Sequence, residues 1–286
     1  MAGGAVSAPP RPSALALPAH PKPLESRELS EGVHLDVYAG EKAGEVVWVY
    51  SPKPMPKKPG VVLVAPAGGN LRSNPALQDG DRAEHLPYVA AGFVTVSFSL
   101  PGVIAEPQTE GTIIAAVNDF RARRAGVDAE ARALDLALSV VPDVDTKRIY
   151  AAGHSSAGTL ALLFTALDPR VRAVAAFAPV TDALTRADTE VQQALEQMSP
   201  GFTAFMKWQS PASHVSEYAV PVFLFHAQDD GNVAYADTKS FADALKSHGV
   251  ATTFVSAQTG DHYDSMIKEG LPAAVAWFGK LAAETK

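Results

Sequence analysis

The sequence predicts an α/β protein with a mostly parallel central sheet and helices on both of its faces. Three observations predict it. From Val61 onward, apolar runs of strand length alternate with segments whose apolar residues recur at helical spacing. The first run, Val61–Ala65 (VVLVA), is apolar at every position, the pattern of a strand buried on both faces. Strands joined through helices form right-handed parallel units, which bury a sheet between two helical layers. The sequence contains no internal repeat of solenoid or propeller period.

Taken in order, the chain opens on a leader over residues 1–24. Pro9, Pro10, Pro12, Pro18, Pro21 and Pro23 interrupt any helix or apolar signal segment there, so the leader is expected to be extended or disordered. Residues 25–286 are expected to form one domain. His34–Tyr38 and Glu45–Tyr50 are β-branched and aromatic runs that read as an antiparallel hairpin, and Ser51–Gly60 reads as a surface loop. After Val61–Ala65, a helix is expected over Asp81–Ala91, closed by Gly92, and then a strand over Phe93–Leu100. Val127–Val141 predicts a helix with Asp128 as its N-cap and Pro142 just past its end. Arg148–Ala152, Val171–Pro179, Pro221–Ala227 and Ala251–Ser256 predict strands. Helices are expected at Ser156–Leu167, Tyr235–His248 and Leu271–Glu284. Two connections are long, Pro101–Gly126 and Thr181–Val220, and long connections in such folds are commonly lids or specificity loops.

Composition narrows the function. The 286 residues carry a net charge of −7, with 24 Lys plus Arg against 31 Asp plus Glu, which disfavours a nucleic-acid or anionic-membrane surface. No run approaches the length of a membrane span. Cysteine is absent, which removes disulfides, thiolate metal sites and a thiol nucleophile together, while leaving the compartment open between cytoplasmic and exported. No His/carboxylate set has metal-ligand spacing, so neither a metal nor a cofactor is implied.

The most informative segment is Arg148–Gly158, where a strand runs into Gly153-His154-Ser155-Ser156-Ala157-Gly158 and a helix follows at once. A nucleophile elbow needs this arrangement: a serine at the apex of a strained strand-to-helix turn, small neighbours, and a helix N-terminus facing a developing oxyanion. Ala157 stands where the pattern usually has its second glycine. A nucleophilic serine needs a base and a group that orients the base, following it in the order acid, then histidine, at later strand ends. Pro221–Ala227 is followed by Gln228-Asp229-Asp230, and Ala251–Ser256 by Gly260-Asp261-His262. Three groups of the required types therefore occur in the required order at three suitable strand ends.

On these segments the chain, from about residue 45 to 284, resembles the α/β-hydrolase superfamily. GHSSAG, FHAQDDGNV and the GDH turn, with VPDVDTKRIYAAGHSSAG and SPASHVSEYAVPVFLFHAQDD, are most similar to prolyl-oligopeptidase-related hydrolases and small serine esterases. The resemblance implies Ser155 as nucleophile, Asp230 as acid, four residues after His226, with Asp229 as the alternative, and His262 as base. It implies an oxyanion hole from the N–H groups of Ser156 and of the loop after Val61–Ala65. In that loop Pro66 has no N–H to give, and Ala67 is preferred to Gly68. The implied activity is hydrolysis of a small-molecule carboxylic ester through an acyl-enzyme, with a small peptidase or amidase as alternative and a non-catalytic binding protein as the rival class. Esters are preferred because the chain has no room for the large propeller of the related oligopeptidases. A dienelactone-hydrolase reading is disfavoured because that family uses a cysteine nucleophile.

His154 and His226 flank these positions and are expected to be packing or hydrogen-bonding residues. Arg121, Arg123 and Arg124 are expected to be solvated or ion-paired, with a substrate carboxylate as the alternative partner. Phe202, Phe205, Met206 and Trp208 are expected to be the core of a small helical excursion, or else the lining of an acyl pocket.

Overall fold

A computed structural model describes residues 21–29, 32–68, 79–186 and 188–284. Most of the expected leader, residues 1–20, lies outside the described residues. Among the described residues nine strands form one sheet: β1 (Glu25–Leu29), β2 (Val33–Ala39), β3 (Val46–Pro52), β4 (Val61–Val64), β5 (Val94–Phe98), β6 (Ile149–His154), β7 (Ala173–Phe177), β8 (Val222–Ala227) and β9 (Thr252–Ala257). Their spatial order is β1-β2-β3-β5-β4-β6-β7-β8-β9. The pairs β1–β2, β2–β3 and β3–β5 are antiparallel, and every pair from β5–β4 to β8–β9 is parallel. The chain belongs to the α/β-hydrolase class of fold in this sheet order, with helices around the sheet.

The strand residues divide by period two between the two faces. Val61, Leu63, Ile149, Ala151, Val174, Ala176, Val222 and Leu224 enter one cluster, while Val62, Val64, Tyr150, Ala152, Ala175, Phe177, Phe223 and Phe225 enter another. The first face is covered by α3 (Val127–Val140), α4 (Ser156–Leu167) and α7 (Tyr235–Ser247), and the second by α1 (Arg82–Ala90) and α8 (Leu271–Glu284). Burial on both faces is why these strands read as unbroken apolar runs.

The unit β4-α1-β5 moves outward on one side of β4, whereas β6 lies on the other side. The connections that follow β4 and β6 therefore lead to strands on opposite sides of the pair, which makes this the topological switch point of the sheet. The expected elbow follows β6, and the expected oxyanion loop follows β4.

Several elements differ from the sequence reading. β1 was not expected; its polar ESREL pairs only with β2 at the sheet edge. The expected N-cap of α3, Asp128, is instead inside its first turn, 3.6 Å from Arg124. The cap is Gly126 at φ 99°, because Arg124, Ala125 and Gly126 all take positive φ and turn the chain into the helix. The long connection before α3 holds α2 (Glu110–Ala122), which starts at a Thr109–Thr112 capping box. The long connection after β7 holds α5 (Thr189–Met198) and α6 (Phe202–Gln209), between 3-10 turns at Ala183–Arg186 and Pro211–Glu217.

Candidate active site

Ser155 lies between β6 and α4 with φ 56° and ψ −122°, a backbone conformation that a side-chain-bearing residue adopts only when the surroundings impose it. Those surroundings are the glycines. A Cβ on Gly153 would sit 2.4 Å from the carbonyl carbon of Ala157, and one on Gly158 would sit 2.8 Å from the Gly153 oxygen. Gly153 thus lies directly against the backbone of Ala157 and Gly158, and the Ala157 methyl is fully buried. The Ser155 N–H donates to Phe177 on β7 at 2.8 Å and pins the turn to the sheet. Ser156 opens α4, where the first amides have no partner within the helix. Its hydroxyl accepts a 3.0 Å hydrogen bond from the N–H of Gly68, which joins the loop after β4 to the elbow. Ala67, partly buried, immediately precedes that link.

Asp230 and His262 meet. His262 Nδ1 is 2.7 Å from Asp230 Oδ2, and the Asp230 side chain is 0% exposed. The same carboxylate receives His226 Nε2 at 2.9 Å and the N–H groups of Asn232 and Val233 at 2.8 and 2.9 Å. Burial alone would raise its pKa. The hydrogen bonds from His262, Val233 and Asn232 outweigh that and hold it below the usual carboxylate value. Burial lowers the pKa of His226, so its ring is neutral. Nε2 faces only acceptors, Asp230 and the Val233 carbonyl, so it carries the hydrogen, and Nδ1 accepts from Thr238.

Asp229 does different work. It accepts from the N–H groups of Gly260 and Asp261, at 3.0 and 2.9 Å, and Asp261 accepts from Gly231 N–H at 3.2 Å. This reciprocal clasp joins the loop after β8 to the turn that carries His262. His154 also braces that turn, with Nε2 2.9 Å from the His262 carbonyl. The Asp229 clasp was missed by sequence reasoning, whereas His154 and His226 hydrogen-bond as expected.

The arginines of the first long connection are occupied by the protein. Arg121 donates to Ser199 and Pro200, Arg123 to Glu45, and Arg124 lies near Asp128 and over the Trp208 ring at 5.8 Å. Phe202 and Trp208 are buried, and Phe205 packs against Phe120 and Trp208. Among the described residues, no group of three His, Asp or Glu side chains could hold a metal ion. Among the same residues, no helix is long and apolar enough to cross a membrane.

Residues 131–285 match the prolyl oligopeptidase family. No curated protein matches the sequence. Among solved structures, a puromycin-hydrolyzing peptidase from Mycobacterium tuberculosis superposes with a TM-score of 0.63 at 18% identity, over 86% of this chain and 40% of that one. An acylaminoacyl peptidase from Pyrococcus horikoshii gives 0.64 at 15% identity, over 92% and 41%. An acetyl xylan esterase from Paenibacillus sp. R4 gives 0.62 at 16% identity, over 90% and 89%. The chain thus spans about 40% of the length of the two peptidases.

Proposed function

The chain belongs to the prolyl oligopeptidase family, and from that premise we propose that it is a serine hydrolase that cleaves carboxylic esters by acyl transfer. One observation carries the reading: Ser155 occupies a strained elbow at the N-terminus of α4, and the fold that forms it also joins His262 to buried Asp230 at 2.7 Å. His262 removes the Ser155 proton as the hydroxyl attacks the ester carbonyl. Asp230 keeps the hydrogen on Nδ1, so that Nε2 is the basic atom, and stabilises the imidazolium. The tetrahedral oxyanion is held by the N–H groups of Ser156 and Ala67. Gly68 supports that choice, because its N–H is already given to the Ser156 hydroxyl. The imidazolium then protonates the leaving alcohol, and water, activated by His262, hydrolyses the acyl-enzyme. Removing one oxyanion donor costs about 10²–10³ in kcat.

The ester class is supported by the acetyl xylan esterase, 89% of whose length is matched by 90% of this chain. A second reading, a peptidase, is favoured by the two peptidases of similar fold. Labelling with a fluorophosphonate probe and mapping the adduct tests the nucleophile, with Ser155 expected to carry it. An adduct on Ser156, or none on folded protein, overturns the assignment. Turnover of p-nitrophenyl esters beside matched p-nitroanilides tests the class. The ester series is expected to be hydrolysed, with Ser155→Ala lowering kcat by about 10⁴ or more. Faster anilide than ester turnover would favour the peptidase.

A further inference from the structure

Behind His262 lies a line of titratable side chains that the reaction does not use. His154 comes from the end of β6, Glu84 from the first turn of α1 and Tyr263 from the turn that carries His262. His154 is 4% exposed, and its ring centroid is 4.5 Å from that of His262. Its Nε2 faces the His262 carbonyl, which can only accept, so Nε2 bears the hydrogen. Burial, followed by the neighbouring His262, pushes the pKa of His154 down to about 4. In the neutral ring Nδ1 is therefore a bare acceptor, and it has no hydrogen-bond partner among the described residues. Glu84 Oε1 lies 3.9 Å from it. Burial first, and then the charge of Asp81, push the Glu84 carboxyl up to about 7. A buried acceptor thus faces a mostly buried acid that titrates near neutrality. Side-chain motion of about 1 Å brings the two to hydrogen-bond length.

We propose that Glu84 and His154 hold one proton between them, and that this pair is a positioning device for the turn bearing His262. The inference rests on the reading of His262 as the base. A count of hydrogens gives the mechanism. With the shared proton present, two hydrogens serve two links: Glu84 to Nδ1, and Nε2 to the His262 carbonyl. Once that proton is lost, the ring's single N–H must serve both a carboxylate and a carbonyl. The charge-assisted bond is roughly twice as strong as the neutral one, so the hydrogen moves to Nδ1 and the His262 carbonyl is released. No oxidant or cofactor is needed; one proton passes to solvent.

The other groups around the pair are Asp81 and Tyr88 beside Glu84, Arg82 beside His85, and Tyr263 and Asp264 on the turn after β9. His262, Asp230 and His226 face His154, while His85 on α1 is turned to Tyr50 of β3.

The test is kcat/KM for one p-nitrophenyl ester from pH 6 to pH 9, in wild type, Glu84→Gln, Glu84→Asp and His154→Gln, with the uncatalysed rate subtracted. The side-chain amide introduced by Glu84→Gln would present a permanent donor to Nδ1. The ratio of Glu84→Gln to wild type is expected to rise by about two- to tenfold across this range, the equivalent of one neutral hydrogen bond. Glu84→Asp restores a titrating carboxyl and is expected to restore a pH-dependent decline. His154→Gln keeps a donor for the His262 carbonyl without Nδ1, so the alkaline decline is expected to disappear there too, which keeps the test intact should Glu84→Gln fold poorly. A ratio that stays flat, or falls as pH rises, overturns the proposal while Ser155-dependent turnover persists. Turnover that survives Ser155→Ala overturns the reading on which it rests.

Discussion

Asp229 and Asp230 are neighbours in sequence and opposite in role. Asp230 Oδ2 takes two histidine donors and Oδ1 takes two backbone amides, so all of its acceptor capacity faces donors. An Asn at 230 would turn an NH₂ group towards at least one of them. Asp230→Asn is therefore expected to lower kcat by about 10³–10⁴, the scale seen when the orienting acid of such a triad is lost. Asp229 only splints the 260–261 turn, and Asn keeps one acceptor for it, so Asp229→Asn is expected to lower kcat by about tenfold or less. Steady-state kinetics on a single ester compare the two directly, and equal losses would contradict the division. In the sequence, the four-residue spacing from His226 already favours Asp230. The splint was not legible, because its partners, Gly260 and Asp261, lie 31 and 32 residues further on and the turn they form leaves no local pattern.

At the scale of elements, what the sequence reveals follows burial. β4, β6, β7 and β8 are buried on both faces, and their apolar runs locate their ends to within two residues. β1 has no fully buried residue, and neither has α5, so neither imposes an apolar period on its sequence. The three arginines at the end of α2 were visible as a cluster, but their partners on the β2–β3 turn and before α6 were not. The elbow was legible because its constraint is local and steric. A methyl on Gly153 has only backbone to meet, at 2.4 Å, and backbone cannot yield. Gly153→Ala is thus expected to destabilise the fold by about 1–3 kcal/mol or more, or to prevent soluble expression. Ala157→Gly restores the usual pattern at a buried helical position. It is expected to lower stability by about 1 kcal/mol. Thermal unfolding of both variants checks this, and a Gly153→Ala protein as stable as wild type would refute the steric argument.

Across the whole molecule, buried acids and buried histidines act on stability in opposite senses. Burial lowers the pKa of His85 to about 3 and of His154 to about 4, and it lowers that of His226 as well. As pH falls through about 6.5, the unfolded chain binds protons that these rings refuse, so each withdraws up to about 1.4 kcal/mol of stability per pH unit. Glu84, raised to about 7, and Glu130, raised well above its usual value, are both shifted chiefly by burial. Asp128 is shifted the same way, though its carboxyl lies near Arg124. The native protein keeps protons on these acids that the unfolded chain has released, so they return stability as pH falls from about 7 towards 4.5. Near pH 5.5, about two protons, those refused by His85 and His154, favour the unfolded state, with His226 acting in the same sense, and about two, on Glu84 and Glu130, favour the native state, so the net uptake on unfolding is small. Stability is therefore expected to be nearly level between pH 7 and pH 5. The double variant Glu84→Gln, Glu130→Gln removes the opposing uptake while keeping side-chain size, and its stability is expected to fall with acid at a slope on the order of two protons, about 3 kcal/mol per pH unit. Urea unfolding of the two proteins at half-unit intervals of pH measures both slopes. Equal slopes would mean that the carboxyls are ionised in the folded protein and that the level stability has another origin.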